Sequence, residues 1–385
     1  MKILQAFDFL SLPHGGGTVD IVYKLSKALS ARGHDITICT GDHEIDYKYL
    51  SGLGDVGLKM YHSYFNKHGV YLMPGLLGLD VRDYDLIHFH CYRSIQDVVL
   101  MRKAISHNIP YIVDAHGSTV PRTGIKTLLL DTYDRLAGRR LINHARFVVA
   151  ETEVGVAEWE KLGASRDKIR LQHPLLDTDE FARLPEQGSF RLASNIDKDD
   201  FIVLFLGRIH HAKGIDTLVR AVHRLQSLNS QVNVKLVIAG NDDGYKDTVS
   251  VLATELGISD RVLFVGYVSG EHKLAALVDA DVLVQPSRNE AGARPSLESI
   301  MCGVPVIVSR DTGVGQVISR FDGGLLFQSD NDKELAERIQ DIIDNPASAM
   351  GRTVAARRYI EDNLSFRNSV SRYEELYRET ANRRN

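Results

Sequence analysis

Short apolar runs rich in β-branched residues alternate with longer segments of helical period along almost the whole chain, and the alternation starts twice. Lys2 to Phe9, Asp35 to Thr40, Leu58 to His62, Leu86 to His90, Tyr111 to Ala115, Phe147 to Glu151 and Ile169 to Gln172 are the first set of expected strands. Phe201 to Leu206, Lys235 to Ala239, Val262 to Val265, Val282 to Gln285 and Val304 to Val308 are the second. Helices are expected over Gly17 to Ala31, Ser94 to His107, Ile125 to Asn143, Val154 to Leu162 and Ser365 to Ala381. Strands joined by helical crossovers pair in parallel and are covered on both faces, the pattern of α/β units. A polar, turn-rich stretch near residues 177–200 interrupts the series, and 385 residues are natural for two domains rather than one core. The expected division is 1–185, 186–364 and a terminal helix, 365–385, that crosses back to the first domain.

With 44% apolar and 25% charged residues and a formal charge of -4, the composition is that of a globular protein with no bulk attraction to nucleic acid. Cys39, Cys91 and Cys302 sit in apolar contexts without metal-ligand spacing and read as buried reduced thiols. No leader pattern and no run of membrane-spanning length is found, so a cytoplasmic protein is expected.

Ligands in open α/β sheets bind beyond the carboxyl ends of the strands, so residues just past those ends carry most weight. In VLVQPSRNEAGARPSLESIMCGVPVIVSR, residues 282–310, strand, loop and helix follow one another, with Pro295 suited to a first helical position and Glu298 to the first turn. Free N–H groups of Arg294, Ser296 and Leu297 at that helix start would favour a phosphate, and Gly292 and Ala293 keep the approach open. A carboxylate touching a phosphate would repel it. Glu298 is therefore better used on a vicinal diol such as a ribose, and Glu290, one loop earlier, on a second polyol.

FLGRIHHAKGID places Arg208 and Lys213 in one strand-to-helix loop, where two cations would neutralise a pyrophosphate. SLPHGGGTVDIV follows the first strand, and Gly16 and Gly17 suit either a close backbone approach to a phosphate or sugar or a plain turn. YIVDAHGST sets His116 just past another strand, although a lone histidine is more often structural. His88 and His90 in IHFHC share one strand face without an accompanying ligand set, so no metal is expected there. Asp83 to Asp85 and Asp279 to Asp281 are D-x-D tripeptides that precede strands and read as turns. The segment 122–146 concentrates Arg122, Lys126, Arg135, Arg139, Arg140 and Arg146, with Leu128, Leu129, Leu136 and Leu141 available for an opposite side. It reads as a packed helix with a solvated basic face, or as a surface for an anionic membrane or acceptor.

Together these residues resemble the retaining glycosyltransferases of family 4 (glycosyl transferases group 1), over nearly the whole chain. The most specific likeness is the E-x7-E pattern met by Glu290 and Glu298, supported by GGTVDIVYKLSKALSARGHDITICT, GRIHHAKGID, AGNDDG and VLFVGYVS. The resemblance implies the GT-B fold, two Rossmann-like α/β domains facing a cleft. It implies that Arg208 and Lys213 contact a donor diphosphate, Glu298 its ribose, Glu290 the transferred sugar and His116 the sugar near the reacting centre. Tyr267 and Val268 fall where the family holds the nucleobase. Ala291, Gly292 and Ala293 follow Glu290 where the family often reads G-F-G, Arg294 stands at a commonly apolar position, and LQHPLLDTDEF replaces the usual N-G-V-D turn.

The implied activity is metal-independent, retaining transfer of a hexose from a UDP- or GDP-sugar to a carbohydrate or lipid-linked acceptor. The nucleotide sugar is a co-substrate, and no cofactor is expected. A sugar-nucleotide epimerase or phosphorylase of the same fold, or a non-catalytic sugar-nucleotide-binding protein, would share many of these groups.

Overall fold

Every pair of neighbouring strands in the two large sheets is parallel. The computed structural model describes residues 1–385 except 44, 46, 65, 68, 69, 120–129, 173–175, 229–231, 291, 293 and 383–385. Contacts divide the chain into two units, Met1–Leu175 with Arg367–Asn385, and Leu176–Phe366. The division falls ten residues before the one expected at 185, because Leu176 and Phe181 already pack into the second unit's core.

In the first unit β1 (Lys2–Phe9), β2 (Asp35–Gly41) and β3 (Gly57–Tyr61) are followed by a small hairpin, β4 (Asn66–Lys67) and β5 (Val70–Tyr71). Next come β6 (Leu86–Phe89), β7 (Tyr111–Asp114), β8 (Phe147–Ala150) and β9 (Ile169–Leu171). The large sheet runs β3-β2-β1-β6-β7-β8-β9. Ile3 and Leu4 are adjacent and so face opposite ways, yet both are fully buried, as a sheet covered by helices on both faces requires. The second unit holds β10 (Phe201–Leu206), β11 (Val234–Ala239), β12 (Val262–Gly266), β13 (Val282–Gln285), β14 (Val306–Ser309) and β15 (Leu325–Phe327), in the order β12-β11-β10-β13-β14-β15. Strand direction of winding reverses between β1 and β6 and again between β10 and β13, and at such switch points the loops diverge to leave a crevice.

The terminal helix, Phe366–Ala381, belongs almost wholly to the first unit. Val370, Tyr373 and Tyr377 recur at helical spacing and are buried there, and Glu374 on the same helix accepts from Arg32 Nη1 at 2.6 Å and from His34 Nε2 at 2.9 Å.

Several local expectations are corrected. The first helix starts at Leu12, not Gly17, because Pro13 supplies the fixed φ of a first turn; Gly16 and Gly17 are therefore inside a helix and not in a phosphate-facing loop. Pro305 delays β14 to Val306, and β15 was not expected, being only three residues long. In the basic segment, residues 120–129, with Arg122, Lys126, Leu128 and Leu129, lie outside the described residues. Leu141 is buried as expected of an apolar side, but Leu136 is 77% exposed among Arg135, Arg139 and Arg140. A turn of π-helix over Asp134–Gly138 rotates it away from the packed face. The D-x-D acids tie distant segments and do not simply close turns: Asp85 accepts from the Lys2 N–H at 2.8 Å, and Asp279, the last residue of a helix, from the Arg191 N–H at 2.9 Å.

Candidate active site

Two groups of polar side chains lie at the carboxyl ends of strands, one in each unit. In the second unit the loop after β10 carries Arg208 and Lys213, and the loop after β13 carries Glu290. They meet at the switch point because Gly214, at φ 64, closes the first loop so tightly that a Cβ there would lie 2.0 Å from the Pro286 carbonyl. Only glycine allows that approach. Lys213 Nζ pairs with Glu290 Oε2, both side chains being mostly buried, and Ser287 Oγ donates to the same oxygen at 3.4 Å. The Glu290 carbonyl accepts from the Gly313 N–H at 2.7 Å, which ties this loop to the one after β14.

Arg208 pairs with Asp243, in the loop after β11, and both are open to solvent, 64% and 45% exposed at the side chain. Arg288 clamps the two switch-point loops from behind. It donates to both Asp216 oxygens at 2.9 and 2.7 Å, to the His211 carbonyl at 2.6 Å and to Asp330 at 2.7 Å. Burial pushes the Asp216 carboxyl up, but the Arg288 guanidinium outweighs it and holds the group below the usual carboxylate range.

The helix after this loop spans Arg294–Met301, so Glu298 sits in its second turn rather than its first. Its buried Oε1 accepts from Lys273 Nζ at 2.9 Å and from Arg294 Nε at 3.1 Å. Burial raises the Glu298 carboxyl, and the two cations outweigh burial, so it is held below its ordinary value. The N–H of Ser296, expected to be free for a phosphate, is taken by the Gln285 side chain at 3.1 Å, and the Ser296 hydroxyl donates to the same oxygen. Leu297 is fully buried in the core, Gly292 is half-buried, and Ala293 lies outside the described residues. Tyr267 is 48% exposed just past β12, while Val268 packs against the core.

In the first unit His116 follows β7 in the left-handed region, φ 44, with Gly117 next at φ 80. That conformation costs a non-glycine residue of order 1 kcal/mol or more, and it is held here by the ring's partners. The ring Nδ1 lies 3.2 Å from Glu151 Oε1 and 3.4 Å from Asp114 Oδ1, and Nε2 lies 3.1 Å from His90 Nδ1. Asp114 also accepts from Tyr373 OH at 2.5 Å. Burial disfavours charge on the His116 ring, but Asp114 and Glu151 outweigh it and raise its pKa. The inward atoms of Asp114, His116 and Glu151 lie within 4.8 Å of one another. Their separations are those of hydrogen bonds from a ring N–H, and we assign no metal to them.

His88 and His90 do share one strand face, their ring centroids 3.8 Å apart. Both are held neutral by burial, with nearby histidine charge adding to the effect. Beside them, Asp8 accepts from Ser94 Oγ at 2.5 Å and Gln96 Nε2 at 2.9 Å, and burial pushes its carboxyl up to about 6 despite those two donors.

Two family models divide the chain between them, Glycosyltransferase Family 4 over residues 15–180 and Glycosyl transferases group 1 over residues 187–359. The chain is a glycosyltransferase of the GT-B fold. It is 25% identical to an uncharacterised glycosyltransferase of Methanocaldococcus jannaschii over 333 residues, 83% of each chain. To the D-inositol 3-phosphate glycosyltransferase of Mycolicibacterium smegmatis it is 29% identical over 284 residues, 71% of this chain and 62% of that one. Among solved structures, Anabaena HepE in complex with UDP and glucose superposes with a TM-score of 0.82 at 17% identity, covering 98% of this chain and 100% of that one.

The glycosyltransferase thus carries Lys213 paired with Glu290, Arg294 paired with Glu298, and Arg208 paired with Asp243 in the loops and the helix that follow the strands of one sheet, and His116 just past a strand of the other. Reasoning from sequence missed Asp243, Lys273, Arg288, Asp114 and Glu151. Asp114 and Glu151 flank strand ends in the same way as His116 and were legible by that rule. Nothing local marks Lys273, which reaches Glu298 across 25 residues of sequence.

Proposed function

We propose that this glycosyltransferase moves a hexose from a nucleoside diphosphate sugar, UDP- or GDP-linked, to a hydroxyl of a carbohydrate or lipid-linked acceptor, with retention and without a metal. The observation that carries this reading is the Lys213–Glu290 pair at the switch point between β10 and β13. A diphosphate offers Lys213 a stronger anion, and the exchange releases Glu290 to accept hydrogen bonds from sugar hydroxyls. Arg208, mobile enough by its exposure to leave Asp243, supplies the second cation. Both positive groups then face charge that grows on the leaving diphosphate as the glycosidic bond breaks, which is the differential stabilisation catalysis needs. Glu298, with Lys273 and Arg294 on one of its oxygens, is assigned to the ribose, and Tyr267 to the base. No side chain is assigned as essential base, since a phosphate oxygen of the leaving group is able to take the acceptor proton.

HepE, seen with UDP and glucose and also with UDP-glucose, supports a uridine donor, and the inositol-phosphate glycosyltransferases support a polyol acceptor. No described helix is long and apolar enough to cross a membrane; a peripheral contact through 122–146 is part of the proposal. Nucleotides and nucleotide sugars screened by thermal shift test the donor, because a ligand at a hundred times its Kd adds about 2.7 kcal/mol. The best donor, incubated with and without candidate acceptors and with chelator, should give an acceptor-dependent, chelator-resistant product of retained configuration. Product without acceptor, or dependence on inorganic phosphate, would instead identify an epimerase or a phosphorylase.

A further inference from the structure

His116 heads a continuous chain of hydrogen bonds that ends on the terminal helix, 261 positions further along. His90 Nε2 meets Gln5 Oε1 at 2.5 Å, Gln5 Nε2 donates to Tyr377 OH at 3.2 Å, and Tyr377 OH meets His88 Nδ1 at 2.7 Å. All of these groups are buried. The amide of Gln5 gives the chain a direction, because its oxygen only accepts and its nitrogen only donates. With the oxygen toward His90, that ring carries its proton on Nε2 and turns a lone pair on Nδ1 toward His116. His116 Nε2 must then donate.

The other ring nitrogen of His116 faces Glu151 and Asp114. Asp114 accepts on Oδ2 from Tyr373 OH and on Oδ1 from the His116 backbone N–H at 3.4 Å; burial raises its carboxyl, and a charged His116 ring, with these two donors, is what favours the carboxylate. Nδ1 donates as well, and the ring is an imidazolium. The groups facing it are Asp114 from β7, Glu151 from the end of β8, His90 and His88 from β6 and its end, and Tyr373 from the terminal helix. The opposite amide orientation would reverse every bond in the chain, leave His116 with one proton, and set the buried Asp114 and the half-buried Glu151 against a neutral ring. At the far end Tyr377 OH donates to His88 Nδ1, which leaves the His88 proton on Nε2, a buried atom without a hydrogen-bond partner among the described residues.

We propose that Tyr377, Gln5 and His90 are positioning residues that hold His116 doubly protonated, so that its ring enters the reaction as a fixed cation and never as a proton acceptor. This rests on the reading that His116 lies beside the transferred sugar. The terminal helix thereby acts on the chemistry of the first unit without touching substrate. Losing the Tyr377 hydroxyl or the Gln5 amide frees the chain to reverse, which makes the neutral ring accessible.

The test uses full-length protein carrying ¹⁵N-labelled histidine. Ring-nitrogen resonances of His116, assigned with His116→Gln, should report protons on both nitrogens at pH 7.5. In Tyr377→Phe and in Gln5→Leu the ring should lose a proton at lower pH than in wild type. The alkaline limb of kcat should move to lower pH with it, so that at pH 8 kcat drops on the order of tenfold to a hundredfold while the donor KM is unchanged. A singly protonated His116 in the wild type overturns the proposal, and needs no variant to fold. Limbs unmoved in both variants overturn it too. Failure of the wild type to turn over any nucleotide sugar would instead refute the transferase reading, with the ring protonation still decided by the resonances.

Discussion

The two polar groups at the strand ends are built in opposite ways. Around β10 and β13 the cations Arg208, Lys213, Lys273 and Arg294 each pair with a carboxylate of Asp243, Glu290 or Glu298, and the outermost pair stands in water. Around β1, β6 and β7 the titratable groups are buried, and most of their bonds run between uncharged donors and acceptors. The exposed Arg208–Asp243 pair is held by a modest energy and exchanges partners readily, and the mostly buried Lys213–Glu290 pair parts only for a competing anion. A buried chain of hydrogen bonds resists exchange, since any unmatched member bears the full cost of desolvation. One unit is suited to accept and release an anion, and the other to hold a fixed arrangement of protons.

The largest expected effect tests how far burial governs the first unit. The Asp8 pKa, about 6, lies above the ordinary 3.8, so its contribution to stability is full below the ordinary value and is lost as pH rises through the folded one. Asp8→Asn keeps an acceptor for Ser94 and Gln96 but cannot ionise. Its urea-unfolding free energy should match wild type near pH 4 and exceed it by about 3 kcal/mol at pH 8. A constant difference across that range would mean that Asp8 is not the buried acid described.

Lys213→Ala should weaken nucleoside diphosphate binding by about 1.5 to 3 kcal/mol in titration calorimetry while leaving nucleoside binding nearly unchanged. Tyr377→Phe, in the other unit, should change neither. Equal losses for both ligands, or a loss in Tyr377→Phe, would erase the division of labour between the two groups.

A smaller effect concerns the exposed basic face. Arg139→Gln should reduce co-sedimentation with anionic vesicles by about 1 kcal/mol at low salt, with the difference fading as salt is raised. Wild-type protein that stays in the supernatant at low salt would reduce this face to a solvated helix side.

The smallest effect has the opposite sign. Asp243 competes with a diphosphate for Arg208, so Asp243→Asn should tighten nucleoside diphosphate binding by at most about 1 kcal/mol, the range of an exposed pair. Weaker binding in this variant would show that Asp243 supports the ligand instead of competing with it.

Strand positions were legible from the sequence because a buried parallel strand needs an unbroken apolar run, which leaves a local signature wherever it occurs. β1, β10 and β13 lie where the runs predict them. The same holds for the placement of Arg208, Lys213, Glu290 and His116 just past strand ends, because sequence neighbours of a strand cannot be far from its end. Glycine misled where proline ruled: the helix was expected to open at Gly17, but Pro13 had already begun it. Helix phase also escaped, which is why Glu298 is one turn deeper than expected and the Ser296 N–H is already satisfied by Gln285.

The sequence by itself therefore determined which residues stand at the edges of the sheets. Only the tertiary structure decided what each of them faces. Lys273 reaches Glu298, Tyr377 reaches Gln5 and His88, and Tyr373 reaches Asp114, each across a separation that no periodicity encodes. Strand order is the physical reason: it sets β1 beside β6, brings Gln5 into register with His88, and seats the last helix of the chain against strands from its first third.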